Sequence, residues 1–96
     1  MSKILVIDDE ITILDNIKFV LKLGNNEVFT FSNSEEGLNY FKKNYSSIDV
    51  VLTDINMPDV SGLEVLREIK KIMPEMGVII LTEYNDLENA IQAMKE

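Results

Sequence analysis

Lys3-Ile4-Leu5-Val6-Ile7-Asp8-Asp9-Glu10 is the stretch on which the fold turns, an aliphatic run that ends abruptly in acids. The run is continuous rather than alternating, which marks a strand covered on both faces, and such strands belong to parallel sheets. Similar runs recur at Val28 to Phe31, Ile48 to Thr53 and Val78 to Leu81. None of them approaches the roughly 20 apolar residues that a bilayer-spanning helix needs. Helical spacing fills the intervals. Ile13, Ile17, Val20 and Leu21 lie on one helix face and Gly24 supplies a stop; Leu38, Phe41 and Tyr45 mark a shorter second helix. Val65, Leu66, Ile69, Ile72 and Met73 mark a third, which Pro74 closes, and Leu87, Ala90, Ile91 and Met94 a fourth. Ser61 followed by Glu64 has capping-box spacing at the start of the third helix, and Asp86 suits the N-cap of the fourth. The order βαβαβαβα predicts an α/β domain with a parallel sheet and right-handed crossovers. No repeat, low-complexity tract or linker divides it.

The acids beyond the strands are where chemistry is expected. In an open parallel sheet ligands bind past the C-terminal strand ends, at the crevice where the strand order reverses. In a flavodoxin-like, doubly wound order beginning 2-1-3-4, that crevice lies between strands 1 and 3. Asp8 and Asp9 follow the first strand and Asp54 follows the third, so three carboxylates should converge there. Two like charges about 4 Å apart repel by roughly 4 kcal/mol at an effective dielectric of about 20. A hard divalent cation relieves that repulsion, and Mg²⁺ typically takes one or two carboxylates while keeping waters for a phosphoryl ligand. Without metal, a raised carboxyl pKa is expected instead. A single Asp after a strand is usually a cap or turn residue; three at the two strands flanking the switch point are not so easily explained.

Composition narrows the classes. The 96 residues suit one small domain, and 46% apolar content gives it a core. With neither Cys nor His, disulfides, thiolate sites and imidazole catalysis are excluded. The formal charge of −8, from 17 acidic and 9 basic residues, repels phosphate backbones and argues against direct nucleic-acid binding. No signal-peptide pattern or membrane span is read at the N-terminus, and a cytoplasmic setting is the expectation.

Beyond the acid pair, the segments Ile4-Leu5-Val6-Ile7-Asp8-Asp9-Glu10, Val51-Leu52-Thr53-Asp54-Ile55-Asn56-Met57-Pro58-Asp59-Val60-Ser61-Gly62 and Val78-Ile79-Ile80-Leu81-Thr82 closely resemble the receiver domains of two-component response regulators. The resemblance implies that Asp54 is the phosphoacceptor, taking a phosphoryl group from the phosphohistidine of a sensor histidine kinase or phosphotransfer protein. It implies Mg²⁺ bound by the carboxylates of Asp9 and Asp54 and the backbone carbonyl of Asn56, with Asp8 acting mainly through a metal-bound water. Thr82 would register the phosphoryl group through its hydroxyl, and Pro58 and Gly62 would shape the loop after the third strand. Such a module is a signalling domain rather than an enzyme in the ordinary sense. A phosphorylation-independent, receiver-shaped interaction module is the alternative; its usual sign is loss of a site acid, and here Asp8, Asp9 and Asp54 are all present.

Receivers also carry a fifth strand, followed by a phosphoryl-binding lysine, and a fifth helix. The sequence stops at Glu96, so the reading is a receiver domain over residues 1–96, incomplete at its C-terminus. Lys95 belongs to a helical pattern and cannot replace that lysine, and Tyr84 is not the aromatic switch position. Two expectations follow: self-association through an exposed edge of the fourth strand, and weaker phosphorylation than in a longer parent. Glu83 stands where the family often has a small residue, and a solvent-facing side chain is the simpler reading.

Overall fold

A computed structural model describes residues 2–81 of the chain. Over that span the elements run β1 (Lys3–Ile7), α1 (Ile11–Leu23), β2 (Glu27–Phe31), α2 (Ser34–Asn44), a 3₁₀ turn (Tyr45–Ser47), β3 (Val50–Asp54), α3 (Gly62–Ile72) and β4 (Gly77–Leu81). The strands form one parallel sheet in the order β2-β1-β3-β4, the flavodoxin-like order read from the sequence. β1 is central: Ile4 stands opposite both Val28 and Val50, and Ile7 opposite both Phe31 and Thr53.

The continuous apolar run of β1 follows from this position. Side chains alternate between faces of a strand, so Leu5 and Ile7 enter one half of the core while Ile4 and Val6 enter the other. The first half contains Phe41, Val51, Val65 and Ile69, and so packs α2 and α3 against the sheet. The second contains Leu14 and Val28, with Ile17 and Leu21 against it, and so holds α1. α1 ends at Gly24, whose N–H donates to the Leu21 carbonyl at 3.1 Å. Asn25 follows with φ of 63°, a left-handed turn that asparagine tolerates better than most residues. The large exposed apolar side chains include Phe19, Val20 and Leu23 on α1 and Ile79 on β4. Among the described residues, no helix is long and apolar enough to cross a membrane.

Several boundaries differ from the sequence reading. β2 and β4 each begin one residue earlier than expected, at Glu27 and Gly77. The third strand was expected over Ile48 to Thr53, whereas β3 begins at Val50 and includes Asp54. Ile48 is buried, but the Asp49 carboxylate accepts the Lys3 amide at 2.7 Å and the Asp49 amide donates to the Lys3 carbonyl at 2.8 Å, so register with β1 starts only at Val50. Tyr45, placed on the second helix by its spacing, lies in the 3₁₀ turn. There the Asn44 side-chain amide donates to the Tyr40 carbonyl at 2.9 Å and the Ser47 hydroxyl to the Asn44 carbonyl at 3.0 Å, satisfying groups that another helical turn would have used. Met73 is the C-cap of α3 rather than part of it. The expected fourth helix, with Asp86 and Leu87 to Met94, lies outside the described residues, as do Thr82, Glu83, Tyr84 and Lys95.

Candidate metal centre

The ladder sets the direction of each acid. Asp8 is the first residue beyond β1, yet its N–H still donates to the Phe31 carbonyl of β2 at 3.1 Å. Its side chain is buried at 2% exposure, and Oδ1 accepts the Glu10 amide at 2.9 Å, turning the chain towards α1. Asp9 is exposed. Asp54 ends β3, and its Oδ1 accepts the Ile55 amide at 2.8 Å. Behind it the buried Thr53 hydroxyl donates to the Asp54 carbonyl at 3.0 Å. One carboxylate oxygen from each of Asp8, Asp9 and Asp54 lies within 4.8 Å of the other two, so the structure brings the three predicted acids together.

The electrostatics carry the mark of this crowding. Burial raises the Asp8 carboxyl pKa above its ordinary value; the Glu10 amide opposes this and the Asp9 charge adds to it. Burial likewise raises Asp54; the Ile55 and Asn56 amides oppose it, and the charges of Asp8 and Asp9 reinforce it. A cluster whose members resist ionisation suits a divalent cation, because metal charge favours the carboxylate forms. The donors are all oxygen and anionic, a set that fits hard Mg²⁺ rather than a softer transition metal.

The other predicted residues surround this cluster. Asn56 and Pro58 are exposed in the loop over residues 55–61, between β3 and α3. Gly62 opens α3, and its N–H closes that loop by donating to the Ile55 carbonyl at 2.9 Å. A Cβ at this position would lie 2.0 Å from the Asp54 carbonyl oxygen, so only glycine lets α3 begin against the strand end. Ser61 caps the helix by accepting the Glu64 amide at 3.3 Å. Thr82 lies outside the described residues.

Sequence reasoning missed Ser34 and Asp59. Asn33 before Ser34-Glu35-Glu36 is a legible helix start. Nothing local, however, indicated that Asp59, 24 residues beyond Glu35, would reach across to it. The Asp59 carboxylate accepts the Glu35 amide at 3.0 Å and the Ser34 amide at 3.4 Å, while the Ser34 hydroxyl donates to the Val60 carbonyl at 2.7 Å.

With this geometry in hand, comparison with known proteins gives concordant results. Residues 4–96 match the family model described as the response regulator receiver domain. A crystal structure of a response regulator receiver domain protein from Clostridium thermocellum is 63% identical, with a TM-score of 0.92 over 99% of this chain and 75% of that one. The response regulator protein TrrA of Thermotoga maritima, solved in complex with Mg²⁺–BeF, is 37% identical, with a TM-score of 0.87 over 98% of this chain and 80% of that one. Among curated relatives, the uncharacterized transcriptional regulatory protein YesN of Bacillus subtilis is 33% identical over 99% of this chain and 26% of its own length. The chain spans 26% of that relative's length, 20% of the transcriptional regulatory protein ZraR of Klebsiella oxytoca and 39% of the cell cycle response regulator CtrA of Brucella ovis, so it covers well under half of each.

Proposed function

Because the chain belongs to the response regulator receiver domain family, we propose that it is a phosphoacceptor signalling module in which Asp54 accepts a phosphoryl group beside a Mg²⁺ site. The observation that carries this reading is the convergence of Asp8, Asp9 and Asp54 at the C-terminal ends of β1 and β3. The carboxylates of Asp9 and Asp54 and the backbone carbonyl of Asn56 would hold the metal, with Asp8 bonded to a water in its shell. When bound, Mg²⁺ supplies positive charge that offsets the acids and the phosphoryl oxygens.

The residues do the rest by placement. A carboxylate is a weak nucleophile, so transfer to it depends on alignment and on neutralised charge. Hydrogen bonds from the Ile55 amide, to Oδ1 at 2.8 Å, and from the Asn56 amide hold the Asp54 carboxylate in one orientation for attack. Attack on the phosphorus of a kinase phosphohistidine breaks the P–N bond, the imidazole leaves and takes up a proton, and Asp54 becomes an acyl phosphate. Water later cleaves that mixed anhydride, returning Asp54 and free phosphate. Thr82 is assigned to sensing the phosphoryl oxygen, and Pro58 and Gly62 to shaping the loop. The donor partner is a histidine kinase or phosphotransfer protein, the setting is cytoplasmic, and no direct contact with nucleic acid is assigned to residues 1–96.

Incubation with Mg²⁺ and a small donor such as acetyl phosphate should add one phosphoryl group by mass, at Asp54, and Asp54→Asn should add none. Labelling elsewhere, or undiminished labelling with EDTA present, would overturn the reading.

A further inference from the structure

The first four amides of α2, from Ser34 to Gly37, all have acceptors, and two of these come from a distant loop. A helix start leaves four N–H groups without intrahelical partners. Asn33 serves one of them, its side chain accepting the Glu36 amide at 2.9 Å, while its carbonyl takes the first regular helix bond, from the Gly37 amide at 3.0 Å. The amides of Ser34 and Glu35 are taken by Asp59, which lies in the loop leaving the phosphoacceptor strand. Ser34 is fully buried and returns the connection, its hydroxyl donating to Val60 at 2.7 Å and lying 3.1 Å from the Met57 sulfur. The loop is pinned at its base by the Gly62 to Ile55 bond and on its far side by α2. Asn56 lies between these fastenings.

We propose that Asp59 and Ser34 are positioning residues for the metal site, a clasp that fixes the loop carrying the Asn56 carbonyl and couples occupancy of the acid cluster to the order of the first turn of α2. The inference rests on the assignment of Asn56 as a metal ligand. A ligand carbonyl on a loop of seven residues binds well only if the loop is held in place beforehand, since otherwise binding must supply the ordering entropy. The clasp supplies that restraint from a neighbouring element, and linkage requires the effect to run both ways. Metal binding that settles the loop must also settle the Ser34 and Glu35 amides.

The experiment compares wild type, Asp59→Ala and Asp59→Asn by NMR, reading Mg²⁺ affinity from the shifts of Ile55 and Asp9 and hydrogen exchange at Ser34 and Glu35. In wild type, saturating Mg²⁺ should slow exchange at those two amides. Asp59→Ala should bind Mg²⁺ about tenfold more weakly, the low end of what outer-shell partners contribute, and its residual binding should no longer slow exchange at α2. Asp59→Asn keeps one acceptor oxygen and should fall between. Amides of β1 and β3 report whether the fold is intact in each variant. Equal Mg²⁺ affinity in wild type and Asp59→Ala overturns the clasp and leaves the metal site standing. Absence of Mg²⁺ binding in wild type overturns both.

Discussion

Asp8 is where folding and binding oppose each other most directly. Its carboxylate sits almost wholly out of water beside two other acids, and in the metal-free protein that arrangement is unfavourable. Asp8→Asn keeps the acceptor for the Glu10 amide, removes one charge and places donors beside Asp9 and Asp54. We expect it to stabilise the metal-free protein by roughly 1 kcal/mol or more, the scale of a close like-charge pair between solvent and a protein surface. It should also abolish most of the stabilisation by Mg²⁺. Urea unfolding of both proteins with Mg²⁺ and with EDTA measures this; a variant less stable than wild type in EDTA would contradict it. Gly62 is the opposite case, a residue whose chemistry is nothing but missing volume. Gly62→Ala drives a methyl against backbone at the Asp54 carbonyl rather than against a side chain that can swing away. A loss of about 3 kcal/mol, the upper end for overpacking, is expected in the urea midpoint, together with weaker Mg²⁺ binding because the end of β3 must shift. The three acids were legible in the sequence because each ends or follows an apolar run. The need for glycine at 62 was legible only through the family motif, since the obstructing atom belongs to a residue eight positions earlier.

The same division holds among elements. β1 and the third helix could be read because burial on both faces and a strict helical stripe each leave a pattern along the chain. The start of β3 could not, because Asp49 belongs by composition to a turn and by hydrogen bonding to the first residue of β1, 46 positions away. The N-terminus of α2 was half legible: Asn33 announces it, while Asp59 looks like part of the Pro58 turn until the tertiary contact is seen. That contact has a pH signature. Partial desolvation pushes the Asp59 carboxyl upward, but the Glu35 amide, Ser34 and the Val60 amide outweigh it and hold the pKa at about 2, against an ordinary 3.8. A carboxyl depressed by folding contributes stability that is present above its unfolded pKa and lost as pH falls through the folded one. Asp59 should therefore support α2 above about pH 4 and release it between there and about pH 2. Comparing urea midpoints across that interval, Asp59→Asn should fall less steeply than wild type. Parallel profiles would mean that the bonds to α2 contribute nothing net.

For the molecule as a whole, two sets of carboxyls titrate in opposite senses. Asp8 and Asp54 have folded pKa values above their unfolded ones, so in metal-free protein their ionisation opposes folding. That penalty is complete above the raised values and disappears as pH falls through them towards 3.8. Asp59 works the other way, and only below about pH 4. The metal-free protein should thus be most stable in mildly acidic solution and weaken towards neutrality, and its formal charge of −8 adds a general repulsion of the same sign. Mg²⁺ needs the ionised carboxylates, so its stabilising effect must grow with pH over the window in which metal-free stability declines, with protons released on binding. At about 100 times its dissociation constant it should add roughly 2.7 kcal/mol, moving the stability maximum towards neutral pH. General charge repulsion is screened by any salt, so thermal unfolding with Mg²⁺ must be compared with sodium chloride of equal ionic strength. A rise specific to Mg²⁺, larger at neutral than at acidic pH and missing in Asp54→Asn, assigns the effect to the cluster. An equal rise with sodium chloride would assign it to net charge alone, leaving the three acids without a shared ion.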